Sequence, residues 1–225
     1  MGDDSIKVSD SSSKRRACFV FPEASGHINA SLALTSHLTQ NRGWEVHYLS
    51  AKVMEGCILD AGATFDDERE AAPELCDGGL GYFAAYERLR KERCPPGAKT
   101  WECRAHAENL FCLQKMDGTI QWLRDKNPSV VVYCPFWNRV AQLASLVVGV
   151  PHVAICTIAG FGGFHSILKN FLDGEKASFE EFTDLYQTSE INQTAIDDFC
   201  RPPYNLKRSL FESGVSIFLS KHRES

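Results

Sequence analysis

Apolar positions along the chain follow two rhythms. Unbroken runs, "ACFVF" at 17–21, "SVVVYC" at 129–134 and "HVAIC" at 152–156, alternate with stretches where apolar residues recur every three or four positions. The runs read as strands buried on both faces, and the spaced stretches as amphipathic helices. After the first strand a helix is expected over 30–41, capped by Asn29. Ile28, Leu32, Leu34 and Leu38 share one broad side of it, with Ser36 and Gln40 opposite. "WEVHYLS" at 44–50 is the next strand, entered through Gly43. A short helix over 52–60 stops at Gly62, and "ATF" at 63–65 is a third, short strand. This order predicts right-handed crossovers and a parallel sheet with helices on both faces.

The pattern loosens over 66–100, with a loop at "PELCDGG", a charged helix over 80–93 and a firm break at "CPPG". A long helix is expected from Thr100 to Lys126, interrupted near Gly118 and ended by Asn127-Pro128. "SVVVYC" is followed by a helix with Val140, Leu143, Ala144 and Val147 on one face, closed by Gly149 and Pro151. "HVAIC" is read as another buried strand, followed by the loop "TIAGFGGFH". Aromatic-studded helical segments come next, with Phe164, Phe171, Phe179, Phe182 and Tyr186, and "GVSIFLS" is a last strand. The fold class is α/β, a single Rossmann-like domain with a doubly wound parallel sheet over 17–225. It is preceded by a polar, serine-rich tail at 1–16, expected to be disordered. Ligands of such sheets sit at the carboxyl ends of the strands, which directs attention to the loops at 22–29, 134–138 and 157–165.

Composition narrows the function classes. The chain has 225 residues, 44% of them hydrophobic and 24% charged, with a formal net charge of −5. That balance excludes neither a pocket nor a partner subunit, but it gives no basis for binding nucleic acid or an anionic membrane. No apolar stretch is long enough to span a bilayer, and the N-terminus lacks the apolar core of a secretory leader. The nine cysteines show no C-x-x-C spacing, and several lie inside apolar runs. Buried reduced thiols in a cytoplasmic protein are therefore expected. Cys94, Cys103, His106 and Cys112 invite a zinc reading, since Cys103 and His106 would share a helical face. The paired spacings of structural zinc sites are missing, so core cysteines and no metal are expected.

The junction "FPEASGHIN" carries the candidate chemistry. His27, beside Gly26, admits three local readings: a packing residue, a capping residue or a general base. The order of motifs around it resembles the N-terminal half of the family 1 glycosyltransferases. These are UDP-glycosyltransferases of the GT-B fold, including macrolide, sterol and plant flavonoid transferases. Gly26-His27-Ile28-Asn29 matches the family's G-H-[IV]-N-P loop, and the L-A-x-x-L helix matches Leu32 to Leu38. Gly43 to Leu49 matches G-[HW]-x-V-x-[YF]-[LIV], and "DAGATF" resembles A-x-G-[AV]-x-[FV]. "NPSVVVYCPFWNRVAQLASLVVGVPHVAICT" resembles the P-D-x-[VI]-[VI]-x-D … A-x-x-L-G-[VI]-P-x-[VI] segment. "GVSIFLSKHRES" looks like the last strand before the interdomain linker.

The resemblance implies inverting transfer of a hexosyl group from a nucleotide sugar such as a UDP-sugar to a hydroxyl of a small hydrophobic acceptor. The sugar nucleotide is a co-substrate, and no other cofactor is implied. By motif match His27 is the catalytic base. Gly26, Asn29, Phe136, Trp137, Phe161 and Phe164 are the expected acceptor-binding residues. Two departures stand out. Ala30 replaces the family's proline, a mild change at a first helical position. Cys134 stands where the family often has the Asp that orients the histidine, and a cysteine does not reproduce that carboxylate at neutral pH. A register shift, or another acid such as Glu23, would restore the pair. The donor-domain signature H-x-G-x-x-[ST] with its D-Q or E-Q pair does not occur in the 225 residues. The chain therefore reads as an acceptor half, needing a donor domain or a partner subunit. A non-catalytic acceptor-binding module is the alternative. An unrelated oxidoreductase or nucleotide-binding domain is disfavoured, because "PEASGH" offers a lone glycine where a phosphate-binding loop needs several.

Overall fold

A computed structural model describes residues 14–73, 82–94, 96–97, 100–156 and 190–211, with single positions at 174, 178 and 181. The strands are β1 (Arg16–Val20), β2 (Glu45–Ser50), β3 (Thr64–Asp67), β4 (Val130–Tyr133) and β5 (His152–Ala154). The helices are α1 (Ser25–Ser36), α2 (Glu55–Asp60), α3 (Glu68–Ala71), α4 (Tyr82–Arg93), α5 (Thr100–Lys126), α6 (Arg139–Val148) and α7 (Glu190–Cys200). All pairings are parallel and the sheet order is β3-β2-β1-β4-β5. The expected α/β architecture is present. The order reverses between β1 and β4, which opens the ligand crevice of a doubly wound sheet above those two strands.

Strand alternation explains why the apolar runs are unbroken. Cys18 and Val20 of β1 join one core with Met116 and Leu123 of α5, Val140 and Leu143 of α6 and Phe199 of α7. Ala17, Phe19 and Phe21 point the other way, into a core with Ile28 of α1 and Ile58 of α2. Both faces are covered, so every position must be apolar. The aromatic rings on the α1 side pack closely, with Phe19 and Tyr48 centroids 5.0 Å apart. β4 alternates likewise: Val131 and Tyr133 face α5 and α6, while Val132 and Cys134 face α1.

Several expectations are corrected. α1 begins at Ser25, with Ala24 in extended backbone as its cap and no side chain capping it, so Asn29 lies in the second turn and is not the N-cap. The buried stripe of α1 is Ile28, Ser31 and Thr35, whereas Leu34 is 38% exposed. The polar pair is buried because Tyr48 of β2 reaches it. The Tyr48 hydroxyl donates to Ser31 Oγ at 2.8 Å and lies 2.7 Å from Thr35 Oγ1. α5 runs unbroken through Gly118. A Cβ there would overlap the Ala71 carbonyl oxygen, so the glycine serves the close approach of α3 rather than a break. β5 is an edge strand among the described residues, and Val153 is 52% exposed where a buried strand was expected. Arg16 belongs to β1 and not to the tail; its guanidinium pairs with Glu45 at 2.9 Å. The expected last strand and the aromatic segments after Gly160 lie outside the described residues.

The thiols also depart from expectation. Cys94 and Cys103 are joined by a disulfide where reduced cysteines were expected. The chain turns back after α4, and packing of α4 on α5 brings the two Cα atoms to 5.2 Å, within bridging range. Cys112 is buried in the α5–α6 core. Among the described residues no three His, Cys, Asp or Glu side chains are grouped to hold a metal. No helix among them is long and apolar enough to cross a membrane.

Candidate active site at the carboxyl edge of the sheet

The chain leaves β1 through Phe21 and Pro22 and enters α1 within a few residues. His27 therefore stands in the first turn of that helix, above the carboxyl end of β1. Its backbone N–H is tied to the Ala24 carbonyl at 2.9 Å. β4 ends alongside, and the segment after it doubles back, with the Asn138 N–H donating to the Cys134 carbonyl at 3.0 Å. The two loops that flank the β1–β4 crevice thus meet, and their side chains converge on one imidazole.

Each ring nitrogen has its own partner. Nδ1 lies 3.2 Å from Cys134 Sγ. The Trp137 indole N–H points at Nε2, at the long distance of 3.4 Å. An indole N–H only donates, so Nε2 is the acceptor of that pair. A neutral imidazole then carries its hydrogen on Nδ1, directed at the sulfur; the tautomer is assigned from these partners. The Phe136 and Trp137 rings stand edge-on to the imidazole, with centroids 5.9 and 6.4 Å away.

The electrostatics favour the uncharged forms. Burial holds the His27 imidazole below the usual histidine range. Its place in the first turn of a helix adds to this, since the positive end of the helix dipole opposes a second positive charge. Burial pushes the Cys134 thiol up, against the opposing effect of the Phe136 and Trp137 backbone N–H groups that bond to the sulfur. Cys134 is fully buried. A thiolate–imidazolium nucleophile of the cysteine-hydrolase kind is therefore not what this pair forms. What remains is a neutral imidazole anchored through Nδ1, with Nε2 turned to an aromatic wall. That is the form needed to accept a proton.

Of the residues expected at the site, His27, Phe136 and Trp137 are brought together. Gly26 and Asn29 flank His27 on α1, and both are exposed. A Cβ at Gly26 would meet nothing within 4 Å, so its size is not demanded by packing. Phe161 and Phe164 lie outside the described residues. Cys134, the sequence departure noted beside His27, is in contact with its Nδ1. Two further residues were not anticipated. Tyr86 of α4 stands edge-on to Trp137 at 6.3 Å, within a cluster that includes Leu89 and Phe111. Nothing in the charged pattern of α4 singles it out. Asn138, at the start of α6, is fully buried, and neither side-chain amide atom has a hydrogen-bond partner. An asparagine beside an aromatic pair, just before a helix, is the signal that marked it, but it reads more simply as a cap.

No protein-family model matches the chain, and no curated protein matches it. Solved structures do match. CalG4, the calicheamicin glycosyltransferase, aligns with a TM-score of 0.62 at 15% identity, over 92% of this chain and 45% of that one. The glycotransferase of kitacinnamycin aligns with a TM-score of 0.53 at 12% identity, over 83% of this chain and 39% of that one. The chain spans less than half the length of either. Likeness at this identity speaks to fold, and it agrees with the parallel sheet and its β1–β4 crevice. The chain shares the fold of part of these two glycosyltransferase structures.

Proposed function

We propose that this chain is the acceptor-side domain of a glycosyltransferase, moving a hexosyl group from a nucleotide sugar to a hydroxyl of a small apolar acceptor. The observation that carries the reading is the placement of His27. It stands at the switch point of the sheet, anchored through Nδ1, with Nε2 facing Phe136 and Trp137. In the proposed step the acceptor hydroxyl takes the place of the Trp137 N–H at Nε2. Its O–H bond breaks and the proton goes to Nε2. The oxygen pair forms the new bond to the anomeric carbon, and the nucleoside diphosphate departs with the pair of the old bond. Inversion follows from attack opposite the leaving group. The donor is held by a further domain or a partner subunit, in keeping with relatives more than twice as long.

Transfer from UDP-glucose and TDP-glucose to a panel of apolar alcohols and phenols, by the chain supplied with a donor-binding domain, tests this. Loss of roughly 100- to 10,000-fold in His27→Ala is expected for a general base. Transfer that survives His27→Ala undiminished removes the base from the mechanism. A second reading is favoured by Cys134, which replaces a carboxylate with a thiol: a binding module that keeps the acceptor site without chemistry. Saturable acceptor binding without transfer, even when a donor domain is added, selects that reading.

A further inference from the structure

α4 has a narrow hold on the rest of the domain. Of its side chains described from Ala84 to Arg93, only Ala85, Tyr86 and Leu89 are buried, and they pack with Ala72, Ala107 and Phe111. The remainder, "ERLRKER" at 87–93, is mostly charged. A helix of 12 residues is marginal by itself in water and depends on what it packs against. The second attachment is covalent. Cys94 follows the last residue of α4, Cys103 lies in the first turn of α5, and a disulfide joins them. Cys103 is buried and Cys94 half-buried, so the bridge is reached from solution through Cys94. The buried face of α4 also backs the site. Tyr86 stands edge-on to Trp137, whose indole N–H points at His27 Nε2.

We propose, building on the placement of the acceptor site at His27, that the Cys94–Cys103 bridge is a redox latch on that site: oxidised, it holds α4 against α5 and behind Trp137, and reduction by a dithiol releases α4 and loosens the wall beside His27. The bistable element is α4, docked or released, and the bridge biases it. In the reductive step a thiolate of the dithiol attacks Cys94 Sγ. The S–S bond breaks, its electron pair leaves on Cys103 Sγ, and that sulfur takes a proton. The second thiol of the reductant then attacks the mixed disulfide, and Cys94 leaves and is protonated in turn. Two electrons and two protons pass to the protein, and the dithiol becomes a disulfide. Cys94 and Cys103 are 9 positions apart in sequence. Closing so short a loop favours the docked arrangement by a factor on the order of 100. Tyr86 carries the change to the site, because it is the residue through which α4 meets Trp137.

The test uses the full chain, with dithiothreitol as the dithiol and oxidised glutathione to restore the bridge. Alkylation of the denatured protein followed by peptide mass mapping first establishes that Cys94 and Cys103 are linked before reduction and labelled after it. Amide hydrogen exchange over 82–93 and the Trp137 indole N–H signal in 15N-tryptophan-labelled protein, assigned with Trp137→Phe, are then read in both states. On reduction the α4 amides are expected to exchange on the order of 10- to 100-fold faster, with those of α6 unchanged. The Trp137 signal should shift, and reoxidation should return both. The double variant Cys94→Ser with Cys103→Ser should match the reduced protein without reductant and cease to respond to it. A bridge absent from the oxidised protein, α4 exchange that reduction does not change, or a double variant that still responds overturns the proposal. Faster α4 exchange with an unmoved Trp137 signal also overturns it, since the bridge is then a staple with no hold on the site. Should the double variant not fold, wild type with and without dithiothreitol decides the matter. No acceptor or sugar donor enters these measurements, so the latch stands or falls separately from the transferase reading, which turnover tests.

Discussion

The Trp137 indole N–H is aimed at His27 Nε2, the nitrogen that would have to receive a proton. A donor placed there stabilises the neutral ring, because the imidazolium has no lone pair at Nε2 to accept it. Trp137→Phe keeps an aromatic ring beside Tyr86 and removes the N–H. The His27 pKa is expected to rise toward the ordinary histidine value, measured by NMR titration of the ring. A value that falls, or does not move, would mean that the long contact carries no energy.

A depressed histidine pKa is also a statement about stability. Burial lowers the folded-state value below 6.5. As pH falls through 6.5 the unfolded chain takes up a proton that the folded chain refuses, so folding loses free energy with each further step down. The loss begins near the unfolded value and stops once pH is below the folded one. Urea unfolding of wild type and His27→Gln between pH 7.5 and 5 isolates this contribution. The variant should lose less stability over that window than wild type. Parallel curves would show that His27 titrates normally when folded.

How much of this was legible in the sequence depends on what each position had to satisfy. β1 and β4 were readable because burial on two faces leaves no polar positions, and "ACFVF" and "SVVVYC" obey that rule. The buried face of α1 was misread because it carries Ser31 and Thr35, whose burial depends on the Tyr48 hydroxyl one strand away. No periodicity encodes a partner that distant. Gly118 looked like a helix breaker because its role is to admit the Ala71 carbonyl, a tertiary contact. At the site, His27 was found through the ordered motifs around it. Cys134 was found only as a departure from them, and its contact with His27 follows from strand alternation that turns residue 134 toward α1. Tyr86 had no local signature, and the one at Asn138 reads more simply as a helix cap.

Glu68 and Lys115 form an ion pair at 2.7 Å, with side chains only 3% and 2% exposed. Lys115 Nζ also lies 5.2 Å from the centre of the Phe111 ring. The pair ties α3 to the middle of α5, beside the Gly118–Ala71 approach. Removing one partner leaves a buried charge, which costs about 3–5 kcal/mol. Lys115→Met is therefore expected to lower stability by that order in chemical denaturation. The double variant Lys115→Met with Glu68→Leu should regain most of it, since apolar replacements of similar volume remove both desolvation penalties. A double variant no better than the single would show that Glu68 has other satisfactory partners.

Asn138 is the polar group most at odds with its surroundings. It is fully buried at the entrance to α6, within the turn that carries Cys134, and neither Nδ2 nor Oδ1 is hydrogen-bonded. It does not cap the helix through its side chain, although its carbonyl accepts the Ala141 N–H at 2.9 Å. An unsatisfied buried amide costs about 1–3 kcal/mol. Leucine has nearly the same shape and no polar atoms to strand. Asn138→Leu should therefore raise the unfolding free energy by about 1 kcal/mol or more. Such a gain would mean that folding tolerates the amide for some other purpose, and under the proposed function the loss to look for is weaker binding of a small apolar acceptor. A destabilised Asn138→Leu would instead mean that the amide is satisfied in solution and serves the turn itself.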